Sequence, residues 1–429
     1  MDKIFSIIAQ EKTRQTEELE MIPSENFASA AVMKAVGSCL MNKYAEGYPN
    51  RRYYQGNINV DQVESICRNR VLQAFKLDKN KWGVNVQPHS GCEANLAVYN
   101  ALLKAGDKIM SMYLPDGGHL SHGWQMPGKK ITFVSKIFKV QFYHVAKKTL
   151  VFDYEQIEQQ ALKYRPQMII SGGTAYPREI DYKRLSQISH KVGALYLADV
   201  AHEAGLIAAG AMQSPFPWVD VATFTTHKTW RGPRGAIIVA RKSLMEAINF
   251  SIIPGLQGGP HMHTIAGIAV AAKELQTPAF KKYARQIIKN AQFLAKQLQK
   301  GGLNIVSGGT DKHLVLVDLR NIGLTGWVVA WALEKAGIIA NRNTVPYDTG
   351  SPFYPSGLRF GTPALTTRGM KEKEMQQISG WILQVINYLK DKNLANEKAT
   401  IEWLGKDKFL AGLKAKVNAF AKKYPLPGI

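Results

Sequence analysis

Short apolar runs alternate with amphipathic stretches between residues 85 and 240, and this alternation most constrains the fold. A short apolar run bounded by turn residues is typical of a buried strand, and a longer amphipathic stretch is typical of a helix that covers the sheet. The alternation therefore predicts an α/β domain with a mostly parallel sheet. The predicted strands lie near 84–88, 108–113, 131–135, 167–171, 194–200, 221–225 and 235–240, with helices at 154–164 and 182–192.

The rest of the chain predicts two further parts. Residues 1–30 indicate an N-terminal arm with a short helix, residues 31–278 hold the large α/β domain, and residues 279–429 form a smaller C-terminal α+β domain. In the last of these, 313–319 predicts a strand, and residues near 326–337 and 370–390 predict helices.

Charge is the unusual part of the composition, because the 429 residues carry a net charge of +22. Such a charge attracts anionic small molecules or nucleic acid. Residues 279–302 carry six cations and no acid, but their apolar residues recur at helical spacing, which indicates an amphipathic helix with a solvated basic face. No nucleic-acid-binding motif accompanies the charge, so we expect no nucleic-acid partner.

Several features of the sequence bear on location. No run approaches the ~18 apolar residues of a membrane span, and residues 1–5 lack the start of a signal peptide. Three scattered cysteines, Cys39, Cys67 and Cys92, give neither a disulfide framework nor a metal spacing. We therefore expect a cytoplasmic protein with no membrane partner and no metal site.

Lys228 lies in a run of hydroxyls, glycines and arginines, Thr225–Gly235, directly after the apolar run 219–224. Nearby cations lower the pKa of a lysine, and a partly deprotonated lysine forms a Schiff base with an aldehyde. Glycines and hydroxyls suit a bound phosphate. The stretch therefore predicts pyridoxal phosphate, which needs both features. The alternative is a surface turn with a solvated lysine.

Asp199 follows a second apolar run, 194–198, and His202 comes three residues later. Sites in parallel sheets lie beyond the carboxyl ends of the strands. A carboxylate there suits the pyridine nitrogen of the same cofactor, which it keeps protonated. The alternative is an aspartate that caps the next helix.

Further motifs predict the surroundings of such a cofactor. His89–Asn95 joins a strand to a helix, and free N–H groups at a helix start bind phosphate. Gly117–Gly123 places histidines in a loop, where a ring can stack on a flat cofactor or simply bond to backbone. Ile253–Pro260 is a second glycine-rich loop of backbone donors.

Two more stretches predict polar sites. Tyr44–Tyr54 mixes one acid with tyrosines and arginines, which suits a site, or else a surface loop. Arg359 lies among small and apolar residues in 357–363, where it would bind a carboxylate through its fork, or else form a structural ion pair.

Taken in order, these motifs resemble the serine hydroxymethyltransferase family from about residue 10 to 390. The matching segments are Pro23–Asn26, Tyr44–Tyr54, His89–Asn95, Gly117–Gly123, Asp199–His202, Thr225–Gly235, Gln257–Pro260 and Asn343–Arg368. The resemblance implies a fold type I pyridoxal-phosphate transferase, similar to aspartate aminotransferase, as a tight homodimer or a tetramer with shared active sites. It implies transfer of a one-carbon unit from L-serine to tetrahydrofolate, which gives glycine and 5,10-methylenetetrahydrofolate.

The resemblance also implies roles for cofactor-binding residues. Lys228 would hold the cofactor, Asp199 would pair with its pyridine nitrogen, His119 would stack on the ring and His202 would contact the 3-oxygen side. Thr174 stands near the ring, where the family usually has serine. The residues expected around the phosphate are Ser90, Gly91, Cys92 and His227, with Tyr44, Gly258 and Gly259 reaching the cofactor of the neighbouring subunit.

Substrate roles follow from the same resemblance. Arg359 and Ser24 would bind the amino-acid carboxylate, with Tyr54 assisting from the partner chain, and Glu46 is the expected acid/base. The residues expected to line the pterin site are Leu114, Gly118, Leu120, Asn343, Ser351, Pro352 and Phe353.

The chain departs from the family pattern at several positions. Pro115-Asp116 stands where Ala-His is usual, Cys92-Glu93 where serine and glutamine are common, and Glu203, Trp230 and His261 replace usual apolar residues. Asp116 and Glu93 put acids near an anionic cofactor, which weakens binding unless they are paired or turned away. Two alternatives therefore stay open: a folate-independent threonine aldolase or transaldolase, and a basic nucleic-acid-binding protein on this fold.

Overall fold

The computed structural model describes residues 2–351, 353–392, 394 and 397–428. Contacts within the chain group residues 28–284 into one unit, here the large unit. They group the residues up to Phe27 with those from Arg285 onward into a second unit, here the small unit. The N-terminal segment therefore belongs to the same unit as the C-terminal part.

The helices are α1 Lys3–Glu17, α2 Ala30–Val36, α3 Ile58–Ala74, α4 Gly91–Leu102, α5 Phe133–Ile137, α6 Tyr154–Tyr164, α7 Tyr182–Lys191, α8 Ala204–Ala208, α9 Met245–Phe250, α10 Met262–Glu274, α11 Pro278–Lys300, α12 Gly326–Lys335, α13 Pro363–Thr367, α14 Glu372–Leu389, α15 Glu397–Lys406 and α16 Lys408–Ala421. The strands are β1 Leu19–Glu20, β2 Gly47–Tyr48, β3 Arg51–Arg52, β4 Trp82–Asn85, β5 Lys108–Met112, β6 Gln125–Met126, β7 Lys129–Lys130, β8 Lys139–Tyr143, β9 Met168–Ser171, β10 Leu195–Asp199, β11 Val221–Thr225, β12 Ala236–Arg241, β13 Asn304–Ile305, β14 Leu314–Asp318, β15 Ile338–Ile339, β16 Asn341–Asn343 and β17 Gly357–Gly361.

Seven strands form the sheet of the large unit, in the order β4, β12, β11, β10, β9, β5, β8. Neighbouring strands are parallel except around β12, which is antiparallel to both β11 and β4. The predicted mostly parallel sheet is therefore confirmed. Because the carboxyl ends of parallel strands meet at one edge, the residues that follow β10 and β11 start from the same edge.

One predicted strand, 131–135, is wrong, because residues Phe133–Ile137 form helix α5. Its N-cap Thr132 accepts a hydrogen bond from the backbone N–H of Ser135 at 3.3 Å, which favours helix over strand. Phe133 is 63% exposed, so this apolar run is not buried throughout as a central strand would be. The strand of the sheet comes next, at Lys139–Tyr143. The other six predicted strands overlap observed ones.

The core of the large unit fixes the position of α4 against the sheet. Its buried face, Ala94, Ala97 and Val98, packs in one cluster with every second residue of the strands below, such as Met168 and Ile170 of β9. This packing holds the N-terminus of α4 near the carboxyl edge of the sheet, because α4 follows the carboxyl end of β4.

In the small unit, four antiparallel strands pair in the order β13, β14, β17, β16. Helices α12 and α14 contribute apolar residues to its core, and so do the C-terminal helices, through Leu404, Leu410 and Val417. The lysine-rich C-terminal region is therefore part of the packed core. The predicted strand at 313–319 and both predicted helices are confirmed.

Helix α11 confirms the amphipathic prediction, since Phe280, Ile287 and Leu294 are buried whereas Lys289 and Lys296 are exposed. Across the described part of the chain, none of the helices is both long and apolar enough to traverse a bilayer.

Candidate active site

Asp199 ends strand β10 at the carboxyl edge of the large sheet, and it is buried. Its Oδ2 accepts hydrogen bonds from Asn95 Nδ2 at 2.9 Å and from His122 Nε2 at 3.0 Å. Its Oδ1 accepts from the backbone N–H of Ala201 at 3.0 Å. The following helix α8 takes Glu203 as its N-cap residue, so the alternative of Asp199 as a helix cap is wrong.

These donors keep Asp199 ionised. Burial by itself raises the pKa of a carboxyl group, but the hydrogen bonds and charge of His122, with the hydrogen bond from Asn95, hold the pKa of Asp199 below its ordinary value. Thr223 Oγ donates to Asn95 Oδ1 at 2.6 Å, which orients the amide so that its N–H₂ faces Asp199. The result is a fixed, buried negative charge.

The sequence did not single out Asn95 and His122, the two side chains that donate to Asp199. Each lies inside a motif quoted above, but their partner Asp199 is 104 and 77 residues away along the chain. The sequence signal was a polar residue on an apolar helix face for Asn95, and a second histidine in the glycine-rich loop for His122.

Lys228 lies three residues beyond β11 and is only 7% exposed, which contradicts the alternative of a solvated lysine. The surrounding turn is fixed by its threonines. Thr226 Oγ donates to the carbonyl of Pro233 at 2.6 Å, and Thr229 Oγ donates to the carbonyl of His202 at 2.8 Å. The second bond ties the buried His202 to the turn that carries Lys228.

His227 precedes the lysine and is neutral at physiological pH. Burial, with the charges of Arg234 and Lys228, lowers the pKa of its imidazole to about 3. Its Nδ1 is buried and has no hydrogen-bond partner among the described residues. A neutral ring with an unused polar atom suits contact with a ligand.

Cys92 shows that Asp199 and Lys228 belong to one site. Burial raises the pKa of the Cys92 thiol, the charge of Asp199 raises it further, and the charge of Lys228 opposes this. Both charges are therefore close enough to act on a residue in the first turn of α4.

The N-terminus of α4 faces the same region. Ser90 is its N-cap and accepts a hydrogen bond from the backbone N–H of Glu93 at 3.4 Å. A Cβ on Gly91 would lie 2.7 Å from Thr225 Cγ, so only glycine lets the helix start this close to the end of β11. Free backbone N–H groups at this position suit an anion.

His119 and Thr174 complete this group. His119 Nδ1 lies 2.7 Å from Ser121 Oγ, and its charge acts on Asp199. Thr174 Oγ donates to the carbonyl of Gly118 at 2.7 Å, which joins the two loops. Ligand atoms of His119, His122 and Asp199 lie within 4.8 Å of one another, as in a metal site, but His122 already donates to the carboxylate.

A second group contains residues for which the family resemblance implies contact with the cofactor of a neighbouring subunit. The rings of Tyr44 and Tyr54 pack edge to face with centroids 5.0 Å apart. The neighbouring Glu46 carboxylate raises the pKa of the Tyr44 hydroxyl. A Cβ on Gly258 would lie 3.3 Å from Glu46 Oε1, and one on Gly259 would lie 3.5 Å from the Tyr44 ring.

Two residues predicted to bind the amino-acid carboxylate, Arg359 and Ser24, lie in the small unit. Arg359 is buried on β17, and its Nε donates to Asn341 Oδ1 at 3.2 Å. Burial lowers the pKa of its guanidinium to about 10, so it stays charged. Ser24 follows Pro23, which lies against this strand: a Cβ built on Gly361 would lie 2.3 Å from Pro23 Cα.

The predicted pterin residues are divided between the two units. Leu114, Gly118 and Leu120 belong to the large unit, and Leu120 is 51% exposed. Asn343 ends β16 in the small unit, where Phe353 is 72% exposed and Ser351 precedes it. Pro352 lies outside the described residues.

Asp116 and Glu93, the two acids expected near an anionic cofactor, both have histidine neighbours. Asp116 is buried, and its Oδ2 lies 2.8 Å from His144 Nδ1. Glu93 Oε2 lies 3.7 Å from His89 Nδ1. Asp116 is therefore hydrogen-bonded to its histidine, and Glu93 has a histidine ring as its neighbour.

The large unit thus offers what pyridoxal phosphate needs: a buried lysine, an ionised carboxylate and a helix N-terminus. The family model described as serine hydroxymethyltransferase matches residues 1–382. The chain belongs to the serine hydroxymethyltransferase family.

Individual relatives agree with this assignment. Serine hydroxymethyltransferase 3, chloroplastic, of Arabidopsis thaliana is 44% identical over 442 residues, which cover 100% of this chain and 83% of the relative. The mitochondrial serine hydroxymethyltransferase of Schizosaccharomyces pombe is 46% identical over 453 residues, 99% of this chain and 92% of its own. That of Caenorhabditis elegans is 45% identical over 449 residues, 99% and 88% of the two chains.

Membership of the serine hydroxymethyltransferase family confirms several predictions. The chain has the fold type I architecture and is a pyridoxal-phosphate-dependent transferase that interconverts serine and glycine, with tetrahydrofolate as cosubstrate. The comparisons give no support to the folate-independent aldolase or to the nucleic-acid-binding protein.

Proposed function

We propose that Lys228 and Asp199 form the cofactor centre of this hydroxymethyltransferase. The observation that carries the proposal is the buried Asp199 carboxylate, which His122 and Asn95 keep ionised at the carboxyl edge of the sheet. When bound, pyridoxal phosphate supplies an electron sink for cleavage next to the amino group of serine. Asp199 would stabilise a protonated pyridine nitrogen, and Lys228 would supply the amine that holds the cofactor.

Other residues orient the cofactor in this proposal. His119 would stack on the ring, and His202 and Thr174 would flank it. Two observations support this: the charge of His119 acts on Asp199, and Thr229 fixes the carbonyl of His202 beside Lys228. The neutral His227 then accompanies the lysine without adding charge repulsion.

The phosphate in this proposal lies at the N-terminus of α4, where Ser90, Gly91 and Cys92 present backbone N–H groups. The close approach of Gly91 to Thr225 supports it. Cys92 serves through its backbone, because a thiol is a weak donor and its raised pKa keeps this one protonated.

Glu46 is the proposed acid/base for the serine hydroxyl. Its support is its position: Glu46 lies close enough to Tyr44 to raise the pKa of that tyrosine, and its Oε1 lies near Gly258. A carboxylate can accept a proton from a substrate hydroxyl group that lies within its reach. Arg359, assisted by Ser24 and Tyr54, binds the amino-acid carboxylate, because a buried guanidinium forms strong charge-assisted bonds.

Tetrahydrofolate in this proposal contacts Leu114, Gly118, Leu120, Asn343, Ser351, Pro352 and Phe353. The exposed side chains of Leu120 and Phe353 support this, since large exposed apolar residues commonly mark a binding surface.

The protein acts as a homodimer with shared sites in our proposal. The exposed tyrosines Tyr44 and Tyr54 support it, because aromatic residues are enriched at subunit interfaces. We also propose a cytoplasmic location: Cys39, Cys67 and Cys92 are all unpaired, as in a reducing compartment, and cell fractionation tests this.

Absorbance of the purified protein tests the cofactor centre. We expect a visible band that Lys228→Ala abolishes together with turnover, and a further band when glycine and tetrahydrofolate are both added. Full serine turnover by Lys228→Ala would contradict the assignment. We expect Glu46→Gln to lower folate-dependent serine cleavage at least 100-fold, on the order of one lost acid/base, and to retain the cofactor band.

Mixing two inactive variants tests the shared sites. If Glu46 acts on the partner's cofactor, a dimer of Lys228→Ala with Glu46→Gln contains one intact site. Random reassortment then restores about a quarter of wild-type activity, because half the dimers are mixed and each has one site of two. No recovery in mixtures that do exchange subunits would show that each site uses its own Glu46.

A further inference from the structure

Besides the candidate active site, the large unit contains a cavity with a volume of about 520 Å³. Three of its lining residues, Ser65, Arg68 and Asn69, come from one face of helix α3, where they recur at helical spacing. The beginning of β4 and Lys242, directly after β12, close the other side. The volume is in the range of small-molecule sites, roughly 300–1,000 Å³.

The cavity has a positive lining. Arg68, Lys79 and Lys242 contribute three cations, and none of its described lining residues is an acid. Among the described residues, none of these three head groups makes a hydrogen bond or an ion pair. Nearby Arg52, by contrast, pairs with two acids, so Arg68 stands out as a half-buried guanidinium without a carboxylate.

Neutral donors and an apolar wall complete the lining. Ser65, Asn69 and Asn80 provide a hydroxyl and two amides, which donate to anionic oxygens. Trp82 and Val84 of β4 provide the wall. Cations gathered at one cavity without acids repel one another, and an anion that binds between them relieves this repulsion.

The cavity is separate from the cofactor centre. Trp82 begins β4 and pairs with Arg241 at the end of β12, and the N–H of Lys242 donates to the carbonyl of Lys81 at 2.9 Å. The cavity therefore lies at the amino end of β4, whereas Ser90 follows its carboxyl end. The first and last residues of this four-residue strand are about 10 Å apart.

We propose that this cavity binds a small phosphorylated molecule whose phosphoryl groups carry at least two negative charges. Lysines act as point charges toward phosphate, and the arginine fork binds phosphate oxygens in pairs. Three cations need more than one negative charge to be neutralised, which favours a diphosphate over a monocarboxylate. The three neutral donors take the remaining oxygens.

Titration of the cofactor-loaded protein with inorganic pyrophosphate tests the proposal by calorimetry at 0.15 M salt. Loading matters because the bound cofactor already fills the phosphate position at Ser90. We expect one pyrophosphate per chain, and about tenfold weaker binding for each of Arg68→Gln and Lys242→Gln, the loss of one charge-assisted contact. Neither residue belongs to the cofactor centre, so the visible band and turnover stay unchanged.

Lys289→Gln with Lys296→Gln is the matched control, because both lysines are exposed on α11 and the double change removes the same charge as R68Q/K242Q. We expect this control to bind pyrophosphate as wild type does. Equal loss in the control would mean that general surface charge attracts the ion, and unchanged binding by R68Q/K242Q would exclude the cavity. Citrate bound as tightly as pyrophosphate would contradict the preference for phosphate. If R68Q fails to fold, Lys79→Gln replaces it with the same expectation.

Discussion

Replacing Asn95 by leucine removes a donor from Asp199 while keeping a similar side-chain volume. Asn95 Nδ2 donates to the carboxylate at 2.9 Å, and its Oδ1 accepts from Thr223 at 2.6 Å. Loss of a hydrogen bond to a buried charge costs about 1.5–3 kcal/mol, and the stranded hydroxyl costs about 1 kcal/mol more. We therefore expect the free energy of unfolding of the large unit to fall by roughly 2.5–4 kcal/mol.

Thermal unfolding measures this loss. At about 2 °C per kcal/mol for a domain of this size, the midpoint falls by roughly 5–8 °C. Thr223→Val is the control, since it removes only the hydroxyl partner of Asn95 and costs about 1 kcal/mol. A midpoint equal to that of wild type for Asn95→Leu would refute the reasoning, because it would mean that the amide does not hold the carboxylate.

The pH dependence of the same loss checks the charge of Asp199. The folded-state pKa lies below the ordinary 3.8, so the stability it contributes is present above that value and is lost as pH falls through the folded-state pKa. The deficit of Asn95→Leu is therefore constant from about pH 5 to 8. A deficit that vanishes near pH 6 would show that Asp199 titrates there and is not held ionised.

Three further predictions concern neighbouring groups. Folding lowers the pKa of His227 from 6.5 to about 3, so the free energy of unfolding decreases as pH drops below 6.5, by up to about 2 kcal/mol at pH 5. In urea unfolding, His227→Asn should lack this pH-dependent loss. Gly91→Ala should weaken cofactor binding about tenfold through its 2.7 Å contact with Thr225 Cγ, and adding Thr225→Ser should restore the affinity measured by absorbance titration. Asp116→Asn should weaken the contact with His144 that holds the turn at Leu114. We expect KM for tetrahydrofolate to rise severalfold while KM for serine stays unchanged. Equal changes in both KM values would indicate general misfolding.

The sheet could be predicted because its strands are buried on both faces and therefore read as continuous apolar runs. The run at 131–135 has the same appearance, but Phe133 faces solvent and Thr132 caps a helix. Exposure depends on what the rest of the chain covers, and a single stretch of sequence does not contain that information.

Some residues of the candidate site could be predicted from the sequence, and others could not. Lys228 and Asp199 could be predicted, since each follows an apolar strand and the carboxyl ends of parallel strands share an edge. The roles of Asn95 and His122 could not, because they depend on α4 and the loop after β5 meeting β10 in three dimensions. The arrangement of Tyr44 beside Gly258 likewise joins residues that are more than 200 positions apart.

Charge compensation explains how the site tolerates acids near an anionic cofactor. Asp116 contacts His144 and the backbone N–H of Val145, so its carboxyl is turned toward the end of β8. Burial raises the pKa of Glu93 and lowers that of His89, which moves this pair toward its neutral forms. The pKa of Asp199 moves in the opposite direction, because donors surround it. Asp199 therefore keeps the charge that a protonated pyridine nitrogen requires. Asp116 is turned toward β8 and the raised pKa of Glu93 favours its neutral form, so both acids add little repulsion toward the phosphate.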